Sequence, residues 1–309
     1  MSSANQASQR VAILGGAGLM GHGIAIACLV GSESEVTIVS RRDETVQRGL
    51  NAVVEGPYGL RKAVARGRLS EEACDAAVSR LKGTISYEEG LGDAQLIFES
   101  IPEVPELKRE ALATAATIAP ADAIFATNTS SIMIADLCSV LPDPSRLIGT
   151  HWFYPSNVMR LVEVAAGRLT DPAVTRTTVD YLTAIGKRPV VVNDAPGFFM
   201  TRFVNNFIAE AIRAVELGIA GPAEIDEMVK TGLGWPMGVF ELLDDTASFD
   251  AWYQAQEYLQ ETCGERYAVP PLARQVFAAG YLGDSTFKPT SRGGWYEFLG
   301  ASRPAAQGR

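Results

Sequence analysis

Histidine is nearly absent from this chain. His22 and His151 are the only two in 309 residues, so imidazole-based proton transfer near neutral pH has two candidates. Cysteine is also scarce. Cys28, Cys74, Cys138 and Cys263 lie far apart with no CxxC pair, which excludes a zinc knuckle or a dense disulfide framework. Reduced, mostly buried thiols and no metal site are expected. Basic charge is in deficit: 27 Lys and Arg against 36 Asp and Glu give a formal net charge of -9. That balance argues against a surface that grips nucleic acid or anionic lipid. No apolar run reaches the roughly 18 residues of a membrane span, and Met1 to Arg10 is polar, unlike a secretory signal. A soluble, cytoplasmic protein with no nucleic-acid or membrane partner is the expectation.

What remains is the composition of an ordinary globular chain, about twice the usual domain of roughly 150 residues. After a polar tail, residues 1–9, a short apolar run of strand type at Val11 to Leu14 leads through glycines to an apolar helix over 24–30. Strand-like runs recur at 36–39, 96–98, 123–126, 147–149 and 189–192. Helical periodicity lies between them at 105–118 and near 131–138, and over 43–82 in pieces broken at Gly56-Pro57 and Gly67, with Asp43 as a cap. Such alternation predicts a parallel sheet with helices on both faces, because parallel neighbours need crossover connections. From Phe198 onward the periodicity is helical, at 198–217, 222–231, 247–262 and 270–280. The expected division is an α/β domain over 10–194 and an all-helical domain over 195–309.

Gly16, Gly18 and Gly21 form a G-x-G-x-x-G, with Leu19 and Met20 inside it, between the first strand and its helix. In a dinucleotide site the first glycine makes the tight turn, the second admits a pyrophosphate and the third lets the helix pack on the strand. The phosphates then meet the helix N-terminus. The strand before the motif and the helix and second strand after it distinguish it from a plain turn. An NAD site would end the second strand in an acid for the ribose hydroxyl. Here Ser40 stands at that position, and Arg41 and Arg42 follow, both suited to bidentate contact with a phosphate. NADP(H) is therefore predicted over NAD(H). The competing arrangement has Asp43 on the ribose and both arginines solvated.

His151 closes the apolar run 147–150 at the carboxyl edge, where open α/β sheets bind ligands. Glu163 interrupts a largely apolar strand at 161–166, and a buried carboxylate needs a partner. Thr127 to Ser131 follows the strand 124–126, so its hydroxyls serve either the same edge or a helix cap. His22 reads as a cofactor-side or packing residue.

These pieces stand in a definite order with Phe98 to Glu103, His151 to Pro155, Leu161 to Val164, Asp194 to Phe198, Pro236 to Leu242 and Gly294 to Tyr296. Together, from Val11 to Phe298, they resemble the 3-hydroxyacyl-CoA dehydrogenase family. The resemblance implies a Rossmann-type N-terminal domain, a helical C-terminal domain that makes a homodimer, and a reaction site between them. It implies His151 as catalytic acid or base, Glu163 as its partner, and Ser130 on the reacting oxygen. It also implies Asn128 beside the nicotinamide and ribose, and Glu103 and Lys108 in contact with the cofactor. The reaction implied interconverts a 3-hydroxyacyl and a 3-oxoacyl group.

The family usually has Asn where this chain has Tyr154 and Thr201. With Trp152 and Trp235, these substitutions admit an aromatic or bulky substrate. Arg61, Lys62, Arg66 and Arg68 lie where the family places CoA contacts, and Arg61, Lys62 and Arg66 fall near one helical face. A solvated charged face would read the same way. CoA, a carrier protein and a free acid all remain open as the substrate's carrier. Two alternatives stand beside the main reading: a ketoreductase of secondary metabolism acting on a polyketide-like β-keto acid or thioester, and a catalytically silent cofactor-binding protein on the same scaffold.

Overall fold

The computed structural model describes residues 9–286 and 288–303. The tail expected over 1–9 lies outside the described residues except for Gln9. Two compact units result, one up to Phe198 and one from Phe199.

Among the described residues the first unit holds one eight-stranded sheet. The strands are β1 (Arg10–Leu14), β2 (Glu35–Val39), β3 (Leu81–Thr84), β4 (Leu96–Glu99), β5 (Ile124–Thr127), β6 (Leu147–Trp152), β7 (Leu161–Ala166) and β8 (Arg188–Asn193). Their order is β3-β2-β1-β4-β5-β6-β7-β8. The helices are α1 (Leu19–Gly31), α2 (Asp43–Glu55), α3 (Leu60–Ala65), α4 (Glu71–Ser79), α5 (Tyr87–Leu91), α6 (Pro105–Ala116), α7 (Ile134–Cys138) and α8 (Pro172–Ala184). β1 shows why the sheet is covered on both sides. Val11 and Ile13 join one core cluster while Ala12 and Leu14 join the other, the period-two alternation of a strand buried on both faces. Each fully buried Ile or Leu contributes about 1.5–3 kcal/mol.

The sheet is parallel as expected with one exception: β6 and β7 run antiparallel. Residues 153–160 between them are too few for a crossover, which takes a dozen or more. Strand order reverses around β1, whose neighbours are β2 and β4, so a crevice opens at the carboxyl ends of these strands. β3, α5 and α8 were not foreseen from the sequence. Asp43 is the first residue of α2 rather than its cap, and Arg42 holds the N-cap position.

The second unit is helical: α9 (Met200–Glu216), α10 (Pro222–Leu233), α11 (Val239–Asp245), α12 (Phe249–Cys263), α13 (Pro271–Ala278) and α14 (Trp295–Leu299). Phe240, Phe249, Trp252 and Trp295 lie in its core. Among the described residues no helix is long and apolar enough to cross a membrane.

Candidate active site

The turn after β1 is built of small residues because its backbone leaves no room for side chains. Gly15, just ahead of the G-x-G-x-x-G, has φ +86°, and a Cβ on it would overlap the Ser100 carbonyl. The left-handed residue is thus Gly15, one position before the glycine expected to make the turn. A Cβ on Gly16 would come 2.7 Å from Ile38, and one on Gly21 would come 2.5 Å from the Gly15 carbonyl oxygen. The third glycine therefore lets α1 close onto the turn. Gly18 differs, since its nearest neighbour would be 3.4 Å away. It is the N-cap of α1, with no side chain capping the helix. The first N–H groups and the positive dipole end face an anion site. These features fit a dinucleotide pyrophosphate.

A cleft of about 710 Å³ runs from this turn along the carboxyl ends of β1, β2, β4 and β5. Leu19, Met20, Ser40, Arg41 and Arg42 line it, joined by Thr45 and Arg48 of α2. Arg48 was not singled out in the sequence, although Arg42, Thr45 and Arg48 recur at three-residue spacing. Asp43 is not part of the wall. His22 is turned to the Gly18 carbonyl, its Nδ1 2.7 Å from that oxygen, and burial lowers its pKa against this contact.

Beyond the cleft wall lies a buried polar network. Glu99 ends β4 fully buried, and Lys108 Nζ donates to its two carboxylate oxygens at 2.8 and 3.1 Å. Thr127 Oγ1 donates to Glu99 at 2.5 Å, and the Ile101 N–H donates at 2.8 Å. Lys108 also pairs with Glu103 at 3.3 Å. Burial pulls the lysine down, but the two carboxylates outweigh it and hold its pKa above the ordinary value. This corrects the expected role of Lys108. It is 1% exposed and does not line the cleft, its ammonium meeting Glu99, Glu103 and the Ile101 carbonyl instead.

Glu103 does line the cleft. Its Oε1 accepts from Thr129 Oγ1 and from the Ser130 and Ser131 N–H groups at 2.7, 2.8 and 2.9 Å. Burial pushes its carboxyl up, yet Lys108 and these donors hold it below the usual carboxylate range. Glu103 therefore fixes the backbone of the loop after β5. On that loop Asn128 and Ser130 line the cleft, and Asn128 Oδ1 accepts from the Trp152 N–H at 3.0 Å.

Trp152 is the neighbour of His151. The antiparallel register sets His151 directly opposite Glu163, and Nδ1 lies 2.7 Å from Glu163 Oε2. The pair is buried at 6% and 2% exposure. Phe153 packs on the imidazole with ring centroids 4.4 Å apart.

The expected substrate residues are placed differently. Tyr154 lies edge-to-face with Tyr58, centroids 5.9 Å apart, and burial followed by the Tyr58 phenol raises its pKa. Thr201 is buried on α9 in the helical unit. The basic patch is split. Arg66 is the C-cap of α3, its N–H on the Lys62 carbonyl, and lines a cavity that Arg61 and Lys62 do not. Arg61 pairs with Glu71 and Asp75 at 2.9 and 3.0 Å. Lys62 is exposed and outside both cavities, while Arg66 and Arg68 line a second cavity of about 290 Å³ with Tyr58 and Lys187.

Comparison with known proteins agrees with this fold. Residues 10–195 match the 3-hydroxyacyl-CoA dehydrogenase NAD binding domain, and residues 197–292 match the 3-hydroxyacyl-CoA dehydrogenase C-terminal domain. A 3-hydroxybutyryl-CoA dehydrogenase of Mycobacterium tuberculosis is 33% identical over 282 residues, 90% of this chain and 96% of that protein. The crystal structure of (S)-3-hydroxybutyryl-CoA dehydrogenase PaaH1 from Ralstonia eutropha is similar at a TM-score of 0.83 and 34% identity, covering 92% of this chain and 97% of that one. The fatty acid oxidation complex subunit alpha of Pseudomonas aeruginosa matches 84% of this chain at 34% identity but only 35% of its own length. The chain belongs to the 3-hydroxyacyl-CoA dehydrogenase family.

Proposed function

We propose that this protein is an NADP(H)-dependent oxidoreductase that interconverts a 3-hydroxyacyl and a 3-oxoacyl group, working in cells towards reduction of the ketone. The observation that carries the reading is the buried His151–Glu163 pair at 2.7 Å, linked through Trp152 and Asn128 to the cleft of the glycine turn. The nicotinamide, when bound, supplies or accepts the hydride at the substrate carbon. The glycine turn and the start of α1 hold the pyrophosphate. Glu163 on Nδ1 leaves Nε2 as the imidazole atom that gives a proton to the substrate oxygen in reduction or takes one in oxidation. The carboxylate fixes the ring's orientation and stabilises the imidazolium, as in other His–carboxylate dyads. Ser130 holds the reacting oxygen, on a loop that Glu103 keeps in place.

Support for NADP(H) comes from Arg41, Arg42 and Arg48 in the cleft wall and from Asp43 outside it. Three guanidiniums suit a 2'-phosphate, and no acid in the wall near Ser40 answers a free ribose hydroxyl. Support for a homodimer comes from the helical unit, where Phe199, Phe203, Met228 and Leu233 are exposed. Phe199 and Phe203 stack with ring centroids 5.8 Å apart, and an exposed apolar patch of this kind marks a protein contact.

The reading is tested by assaying NADPH and NADH with acetoacetyl-CoA, a longer 3-oxoacyl-CoA, a simple thioester mimic and an aromatic β-keto acid. Turnover of a 3-oxoacyl thioester is expected, with kcat/KM at least about tenfold higher for NADPH, from a preparation with twice the mass of one chain. A preference for NADH overturns the cofactor assignment. Turnover of the aromatic acid alone favours the ketoreductase, and no turnover favours the silent scaffold.

A further inference from the structure

Residues 153–160 join β6 to β7 and follow directly on His151 and Trp152. Three carbonyls of this turn, on Ser156, Asn157 and Met159, converge on one ammonium. Lys187 Nζ, between α8 and β8, donates to them at 2.7, 3.2 and 3.0 Å. An ammonium has three donors and no acceptor, so all are used. Its charge also lies over the Trp152 ring, 5.3 Å from the centroid. Among the described residues no carboxylate answers it, and burial pulls its pKa down to about 8.

A buried cation without a counter-ion is costly, and a turn that needed only closing could be served by water or a neutral donor. The same turn is tied at two other points. Ser156 Oγ donates to the Met20 carbonyl on the first turn of α1, and Asn157 Nδ2 donates to the Tyr58 carbonyl, both at 2.9 Å. Tyr58 in turn packs against Tyr154. The turn therefore joins the strand of the acid–base residue, the cofactor helix and the aromatic pair.

We infer that Lys187 is a positioning residue for the reaction: by gathering three carbonyls of the 153–160 turn it holds the end of β6, and with it His151 and Tyr154, in the geometry that an acyl substrate meets. The inference rests on the function proposed above. Misplacing a reacting group by about 1 Å can cost about a hundredfold in rate, so a rigid turn beside His151 bears directly on catalysis.

The ionisable group facing Lys187 is the Cys28 thiol of α1, which in turn meets the Tyr181 phenol of α8. Burial pushes the thiol up to about 12 and raises the phenol well above its usual range. Both stay neutral where Lys187 titrates, and Arg66 and Arg68 lie on the wall of the same cavity. Lys187 is thus the group that changes charge there. As a neutral amine it keeps two donors, and one carbonyl loses its partner.

The test compares wild type, Lys187→Met and Lys187→Arg as full-length enzymes with NADPH and the best 3-oxoacyl thioester. In Lys187→Met, amide exchange over 153–160 is expected to quicken, and kcat/KM to fall, each at least about tenfold, with the Kd for NADPH within about twofold of wild type. Lys187→Arg is expected to recover most of the activity and to lack a loss that wild type shows between about pH 7.5 and 9. Faster exchange with unchanged kcat/KM means a merely structural staple and overturns the inference, as does unchanged exchange. If Lys187→Met does not fold, the arginine variant decides, because an alkaline limb identical to wild type overturns the inference. If wild type reduces no 3-oxoacyl substrate, the functional reading fails, and the exchange measurement still decides whether Lys187 fixes the turn.

Discussion

The two units both bury carboxylates, and they satisfy them by different means. In the α/β unit Glu99 meets the Lys108 ammonium and Glu163 meets the His151 imidazole, each pair within 2.8 Å and at the carboxyl-edge end of the sheet. In the helical unit Asp226 accepts from the Phe240 and Glu241 N–H groups and from Tyr296 Oη, and Asp244 accepts from the Trp295 and Tyr296 N–H groups. Each aspartate thus caps the start of a helix, α11 or α14. At both starts a glycine is the N-cap, and a Cβ there would overlap the aspartate. A Glu three residues on closes each cap by accepting from the glycine N–H. The contrast separates two uses of a buried acid. One meets a nitrogen group in a buried pair, and the other replaces the missing hydrogen bonds of a helix end. The Pro236 to Leu242 and Gly294 to Tyr296 motifs therefore serve helix starts, whereas Phe98 to Glu103 and Leu161 to Val164 belong to the proposed site.

The largest test of this contrast falls on Lys108. Removing one partner of a buried ion pair leaves an uncompensated charge, so Lys108→Met is expected to cost about 3–5 kcal/mol in chemical denaturation. Pairing it with Glu99→Gln should return much of that loss, because the orphaned charge goes too. Full stability of Lys108→Met would mean that the two units bury acids in the same way. A smaller effect is expected at the neighbouring pair. Glu163→Gln keeps the shape but loses the charge that steadies the imidazolium, and should lower kcat roughly a hundredfold with little change in stability. A kcat within about twofold of wild type would remove Glu163 from the proton path.

The parts of this site legible in the sequence are those set by local spacing. Gly16, Gly18 and Gly21 act within one turn, so the motif carries its own geometry, and Ser40 to Arg42 follow a strand end that periodicity places well. Long-range pairings were less legible. The run Leu161 to Ala166 gives no sign of strand direction, and only the shortness of 153–160 told against a parallel neighbour. Lys108 looked like an exposed residue near a helix start, yet with Leu112 and Ala115 it lies on the buried stripe of α6. A charge at spacings of four and seven from buried apolar residues was the overlooked signal. β3 escaped notice because Leu81 to Thr84 is an edge strand with no buried alternation.

The smallest expected effect is the one that most sharpens the contrast, because acid should act on Glu103 and Asp244 with opposite sign. Glu103, the acid of the α/β unit that Lys108 and the loop donors hold below the usual carboxylate range, contributes stability that is present above that range and lost as pH falls. Asp244 is pushed up to about 6, by burial first, against the hydrogen bonds from Trp295 and Tyr296. With its folded pKa above the unfolded one, it contributes stability that is full below the unfolded carboxylate range and lost as pH rises through about 6. Asp244→Asn stays neutral throughout and gives up one of the two acceptor oxygens, a cost of about 1–3 kcal/mol. Its destabilisation should therefore be largest near about pH 4, where the wild-type carboxyl is neutral, and should shrink by about pH 7, where wild type has already lost that contribution. Melting temperatures of the two proteins across this range decide the matter. A gap that widens with rising pH would show that Asp244 works as a charged partner, like the acids of the sheet edge, and would dissolve the distinction between the two units.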